Sequence, residues 1–193
     1  MTRTIAVVGD SLVQEGSWDE WLGDHTVLNF GVSGDTTDDL LDRLDTIIAA
    51  QPDEILLLIG TNDLGLRRGV EHLVRNIQSA LVEFRHALPG SRMLVQSILP
   101  RGKEFAASIT DANIHLRQFC HTLHAQYLDL WPALAREDGS IDPRFSPDSL
   151  HLNEEGYRAW VDELLPALDR LRELPPMTGS LRVIRRDELP RPA

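Results

Sequence analysis

The chain has 193 residues, 42% hydrophobic and 25% charged, which suits one globular domain with a real core. Its formal net charge of −11 argues against a nucleic-acid partner and against docking on anionic lipid, since both call for basic surface. No window approaches the roughly 18 apolar residues of a membrane span, so integral membrane association is not expected. A single cysteine, Cys120, excludes an internal disulfide and falls in a helical pattern that predicts a buried, inert thiol.

Taken in chain order, apolar runs alternate with helical periodicity. Thr4–Val8 reads as a strand that stops at Gly9-Asp10, too short for a signal peptide, and a reduced, cytoplasmic location is the default expectation. Val27–Phe30 is a second strand. Leu40, Leu41, Leu44, Ile47 and Ile48 form one helical stripe, with Thr36 or Thr37 as N-cap and Pro52 at the exit. Glu54–Ile59 is nearly all apolar, as in a central parallel strand covered on both faces. A helix over Val70–Leu88 is closed by Pro89-Gly90, and a strand follows at Met93–Ile98. A third helix covers about Ile109 to Ala125, a short strand Gln126–Leu130, and a last helix Glu154–Leu171, which Pro166 is expected to kink or split. Five strands joined by helical crossovers predict an α/β fold: three layers, α/β/α, around a parallel sheet of flavodoxin-like order 2-1-3-4-5. The domain is expected to span 1–174, with a Pro/Arg-rich tail over 175–193 that is extended or disordered.

Ligands of an open parallel sheet bind outside the carboxyl ends of its strands. Three loops rich in polar residues follow the first three strands: Gly9-Asp10-Ser11, Gly31-Val32-Ser33-Gly34-Asp35 and Gly60-Thr61-Asn62-Asp63. A serine hydroxyl is a weak nucleophile until a base takes its proton, and the base works best when a third group orients it. Among seven histidines, five lie in helical stretches and His25 precedes the second strand at the wrong end of the sheet. His151 alone sits in a loop of special residues, three positions after Asp148, close enough for the two side chains to meet. Asp148 then either orients the imidazole or, with Asn153, caps the last helix. The main-chain amides of Ser11 and Gly34 and the side chain of Asn62 are candidate oxyanion donors, although Asn62 reads equally well as a turn residue.

Gly9-Asp10-Ser11-Leu12, Gly60-Thr61-Asn62-Asp63 and Asp148-x-x-His151 together resemble the SGNH-hydrolase superfamily, the GDSL-type esterases and lipases. The likeness covers nearly all of residues 4–171, with the four name-giving positions at Ser11, Gly34, Asn62 and His151. Asn29–Thr37 and Ile98-Leu99-Pro100-Arg101-Gly102 are similar to the branch holding the catalytic subunits of intracellular platelet-activating-factor acetylhydrolase. The resemblance implies Ser11 as nucleophile, His151 as base, Asp148 as its orienter, and an oxyanion hole from Ser11, Gly34 and Asn62. Asp10 is implied to be structural. No cofactor and no metal are expected, and the partner is a small-molecule acyl ester; a homodimer is implied by resemblance alone.

The expected activity is a serine esterase cleaving short-chain esters. Leu64, Leu66, Phe105 and Leu150 are candidates for the acyl pocket, with Phe105 read as packing. The alternatives are a carbohydrate acetylesterase, a thioesterase, a lysophospholipase, or a non-catalytic interaction protein that keeps the fold. A phosphate cradle at Gly31–Asp35 is a weak third reading, because neither glycine-rich nucleotide motif is present.

Overall fold

A computed structural model describes residues 2–173, so the tail expected at 175–193 lies outside the described residues. In chain order the elements are β1 (Thr4–Gly9), α1 (Ser11–Gln14), α2 (Trp18–Trp21), β2 (Thr26–Gly31), α3 (Thr37–Asp42) and α4 (Leu44–Ala49). There follow β3 (Glu54–Leu58), α5 (Thr61–Gly65), α6 (Val70–Ala87) and β4 (Arg92–Gln96). The last group is α7 (Ala106–Cys120), β5 (Gln126–Leu128), α8 (Trp131–Leu134) and α9 (Glu154–Glu173). All five strands pair in parallel in the order β2-β1-β3-β4-β5, as predicted.

The alternation of side chains along each strand divides the core into two layers. Ile55 and Leu57 of β3 face α3, α4, α6 and α7, while Leu56 and Leu58 face α1, α2, α8 and α9. Burying a leucine or isoleucine completely is worth about 1.5–3 kcal/mol, so these two layers dominate the stability of the sheet. At the far end from the candidate loops, buried Glu54 receives two hydrogen bonds from Arg172, which fastens the end of α9 under β3.

Several boundaries moved for identifiable reasons. The helix expected through Leu40 and Ile48 breaks at Arg43, whose backbone (φ −117°, ψ 11°) leaves the helix between α3 and α4. Thr36 is its N-cap, and Thr36 and Asp39 form a reciprocal capping box. The fourth strand ends at Gln96 rather than Ile98, because the Asn113 side chain takes both the N–H and the C=O of Ile98. The fifth ends at Leu128, since Leu130 N–H donates to the Ser97 hydroxyl instead of continuing the ladder.

The third long helix stops at Cys120. A 3-10 turn over His121–Leu123 follows, and His124 adopts φ +52° while Arg85 grips the carbonyls of Leu123 and His124. Burial pushes the Cys120 thiol up to about 12, so it is an unreactive core residue as expected. The last helix runs unbroken through Pro166. That proline is on the exposed face, and Leu164, Ala167, Leu168 and Leu171 bury the opposite one and hold the helix together.

Candidate active site

The short helices α1 and α5 begin immediately where β1 and β3 end. Gly9 is required by close approach: a Cβ there would collide with the Leu58 carbonyl and the Val13 side chain. Gly31 is in the same position against the backbone of Val13 and Gln14. With no side chain at either place, α1 folds back onto the strand ends and presents Ser11 at its first turn.

Asp10 caps α1, accepting from Leu12 N–H at 3.1 Å through Oδ1. It is fully buried, and its Oδ2 has no partner among the described residues. Loss of solvent raises the Asp10 carboxyl to about 7, and the charges of Asp35 and Asp63 push the same way. Asp10 therefore caps α1 at the cost of a buried, unpaired carboxyl oxygen.

Ser11 Oγ lies 3.4 Å from His151 Nε2, across 140 residues of sequence. His151 Nδ1 is 2.7 Å from Asp148 Oδ2. The two oxygens of Asp148 divide the work: Oδ1 accepts the main-chain N–H groups of Leu150 and His151, at 2.9 and 2.8 Å, and leaves Oδ2 to the imidazole. The loop is a tight turn rather than a helix, with Ser149 at φ +64°. Above all, the hydrogen bond to His151 lowers the Asp148 carboxyl to about 2. Capping of α9 falls to Asn153, which accepts from Gly156 N–H at 2.9 Å, so Asp148 is free to orient His151. The Tyr157 hydroxyl donates to the Leu12 carbonyl at 2.8 Å and ties the start of α9 to the helix of Ser11.

Two of the oxyanion candidates, Gly34 and Asn62, are joined through Asp35. Gly34 is exposed, with φ +84° and open space where a Cβ would point. Glycine takes this left-handed conformation without strain, and the missing side chain leaves its amide accessible. The main-chain N–H groups of Ser11 and Gly34 donate to no protein acceptor among the described residues. Asn62 spends one amide hydrogen on the Asp35 carbonyl at 2.9 Å, which leaves the other for a ligand.

Two residues that sequence reasoning gave no role hold these loops together. Arg43 donates from Nε to Asp35 Oδ2 at 2.7 Å and from Nη2 to the Gly9 carbonyl at 3.0 Å. Asp63, fully buried, accepts from both the N–H and the hydroxyl of Thr37, at 2.9 and 2.7 Å. The only sequence signal for Arg43 is its place inside a helical stretch, which names no distant partner. Asp63 stood in a conspicuous loop, but nothing local named its partner.

Of the acyl-pocket candidates, Leu64 is core and Phe105 packs against the core, whereas Leu66 is exposed and Leu150 half-buried. A cavity of about 920 Å³ runs beside β5 near Arg92, Gln126 and Arg170, at the other end of the strands. None of Ser11, Gly34, Asn62, Asp148 and His151 lines it. Size does not mark the site; converging chemistry does.

The match to known proteins agrees with this geometry. Residues 7–159 fit the GDSL-like Lipase/Acylhydrolase family. The bovine platelet-activating factor acetylhydrolase IB subunit alpha1 is 28% identical over 164 residues, covering 79% of this chain and 69% of that protein. A solved structure from Streptococcus pneumonia, named for platelet activating factor, superposes with a TM-score of 0.78 at 26% identity, covering 87% of this chain and 85% of the other. A GDSL-like lipase from Bacteroides thetaiotaomicron shares the fold, with a TM-score of 0.78 at 17% identity over 87% and 88% of the two chains. A hydrolase of α/β architecture with its four motif loops at one sheet edge, this chain belongs to the GDSL-like lipase/acylhydrolase family.

Proposed function

We propose that the protein is a serine esterase that cleaves short-chain carboxylic esters through an acyl-enzyme on Ser11. The observation that carries this reading is the chain of contacts Ser11–His151–Asp148, at 3.4 and 2.7 Å, beside three donors from separate loops. His151 takes the Ser11 proton as Oγ attacks the ester carbonyl, and the carbonyl oxygen turns toward the amides of Ser11, Gly34 and Asn62. His151 then returns the proton to the leaving alcohol. Water repeats the sequence on the acyl-enzyme and frees the acid. The ionised Asp148 holds the imidazole tautomer and balances the imidazolium. A contact of 3.4 Å is long for a hydrogen bond, and such contacts commonly tighten only as substrate engages.

A small acyl group is supported by the burial of Leu64 in the core, which withdraws it from a deep apolar pocket. The relatives named as acetylhydrolase subunits point the same way. The test is hydrolysis of p-nitrophenyl acetate, butyrate and octanoate by the wild type and Ser11→Ala. Turnover that falls with chain length and vanishes in a folded Ser11→Ala variant is expected. Equal rates in the two proteins would leave a non-catalytic protein that keeps the fold.

A further inference from the structure

Arg101, in the loop after β4, is in an unusual state for a guanidinium. It is half-buried, yet no carboxylate lies within ion-pair distance of it among the described residues. Of its five N–H donors, one makes a hydrogen bond: Nη1 reaches the Thr61 carbonyl at 2.8 Å. Nε is buried with no partner, and Nη2 makes no hydrogen bond among the described residues.

The side chain is nonetheless held firmly. Its guanidinium stacks on the Phe105 ring, 4.3 Å from the centroid, and packs against α5 so closely that a Cβ on Gly65 would sit 3.1 Å from Nη1. Its main chain is fixed too, because the Arg101 carbonyl accepts from Ile141 N–H at 2.8 Å. The helix it lies against carries Asn62, and the charges of Glu104, Asp10 and Asp148 all act on it, none of them within ion-pair distance. Arg101 is thus a fixed, under-used cation beside the candidate oxyanion hole.

Arginine that served only to brace the loop would spend its donors on carbonyls, as Arg85 does on those of Leu123, Pro89, Ser91 and His124. Arg101 instead keeps most of its fork unspent. A guanidinium fork matches the paired oxygens of a carboxylate or phosphate, and partial removal from water strengthens that recognition.

We propose that Arg101 determines specificity, selecting esters that carry an anionic oxygen-acid group near the scissile carbonyl. The proposal rests on the esterase reading. The anionic group is on either the alcohol or the acyl side of the ester bond. The chemistry recognised is the same, and two matched pairs of substrates tell the sides apart.

For the alcohol side, 4-acetoxybenzoate is compared with its neutral methyl ester. For the acyl side, p-nitrophenyl hemisuccinate is compared with p-nitrophenyl butyrate. In the wild type the anionic member of one pair should have the higher kcat/KM. Arg101→Gln should lower that anionic-over-neutral ratio about 30-fold, chiefly through KM, as expected for one charge-assisted contact of the bound substrate. Arg101→Lys, which keeps the charge and loses the fork, should recover part of the ratio.

A ratio that stays the same in Arg101→Gln, or a wild type that disfavours the anion in both pairs, overturns the proposal. Hydrolysis of the neutral esters, abolished in Ser11→Ala, tests the esterase reading separately. Calorimetric binding of 4-hydroxybenzoate to the wild type and to a folded Arg101→Gln variant tests the cation without turnover. Weaker binding in the variant supports the assignment if the alcohol pair showed the preference, and equal binding there counts against it.

Discussion

The side-chain amide of Asn62 donates to the main-chain carbonyl of Asp35 at 2.9 Å, which joins the loop after β3 to the loop that carries Gly34. Two candidate oxyanion donors from separate loops are thereby set at a fixed spacing before any substrate arrives. Preorganised donors of this kind act on charge that develops in the transition state without reorganising to meet it.

Replacing Asn62 should therefore damage the chemical step more than binding. Asn62→Ala removes both a donor and the link to Asp35, and kcat for p-nitrophenyl acetate should fall by about 10²–10³ with a smaller change in KM. Steady-state kinetics on a variant with an unaltered circular-dichroism spectrum reads this directly. A change confined to KM would place Asn62 outside the oxyanion site.

Arg43 reaches across 34 residues to the Gly9 carbonyl and also holds the Asp35 carboxylate. Arg43→Gln should destabilise the protein by about 1.5–3 kcal/mol, the usual worth of hydrogen bonds to a charged group. It should also slow kcat by about tenfold, since small displacements of positioned groups are costly. Urea unfolding and kinetics on the same preparation separate the two effects. Wild-type kcat in a destabilised variant would make Arg43 a brace for the fold alone.

Asp148→Asn keeps the shape of the turn but removes the charge opposite His151. A loss of about 10²–10⁴ in kcat is expected. The sign of the stability effect also follows. The folded carboxyl is lowered to about 2 from its ordinary value of 3.8, so its contribution is present above about pH 4 and is lost as the pH falls toward 2. The difference in stability between wild type and Asp148→Asn should shrink over that window in acid titrations followed by fluorescence.

Asp10 has the opposite sign. Burial raises its carboxyl to about 7 in the folded state from an ordinary value of 3.8, so between those limits the folded state keeps a proton that the unfolded chain has released. Stability should decline as the pH rises from about 4 to 7 and level off above. Asp10→Asn retains an oxygen to cap α1 and should flatten that slope in urea unfolding measured at pH 5, 6, 7 and 8. An unchanged slope would show that Asp10 is not its source.

The strand order and most helices were legible because local periodicity and burial agree in this chain. The boundaries that shifted did so where a distant side chain intervened: Asn113 on Ile98, Ser97 on Leu130, Arg85 on the turn at His124. Pro166 does not split its helix for the complementary reason, since two buried flanks outweigh one missing hydrogen bond.

The same division runs through the site. Sequence alone pointed to Ser11, Gly34 and Asn62 just after the first three strands of a parallel sheet, and to Asp148 and His151 in a loop before the last helix, because turn residues and hydrophobic runs report locally. Tertiary structure decided how Asp148 shares its two oxygens, which residue caps α9, and that Arg43, Asp63 and Arg101 belong near the site. Such partners lie tens of residues apart, and the hydrogen bonds between them exist only after the core has packed and brought the strand ends together.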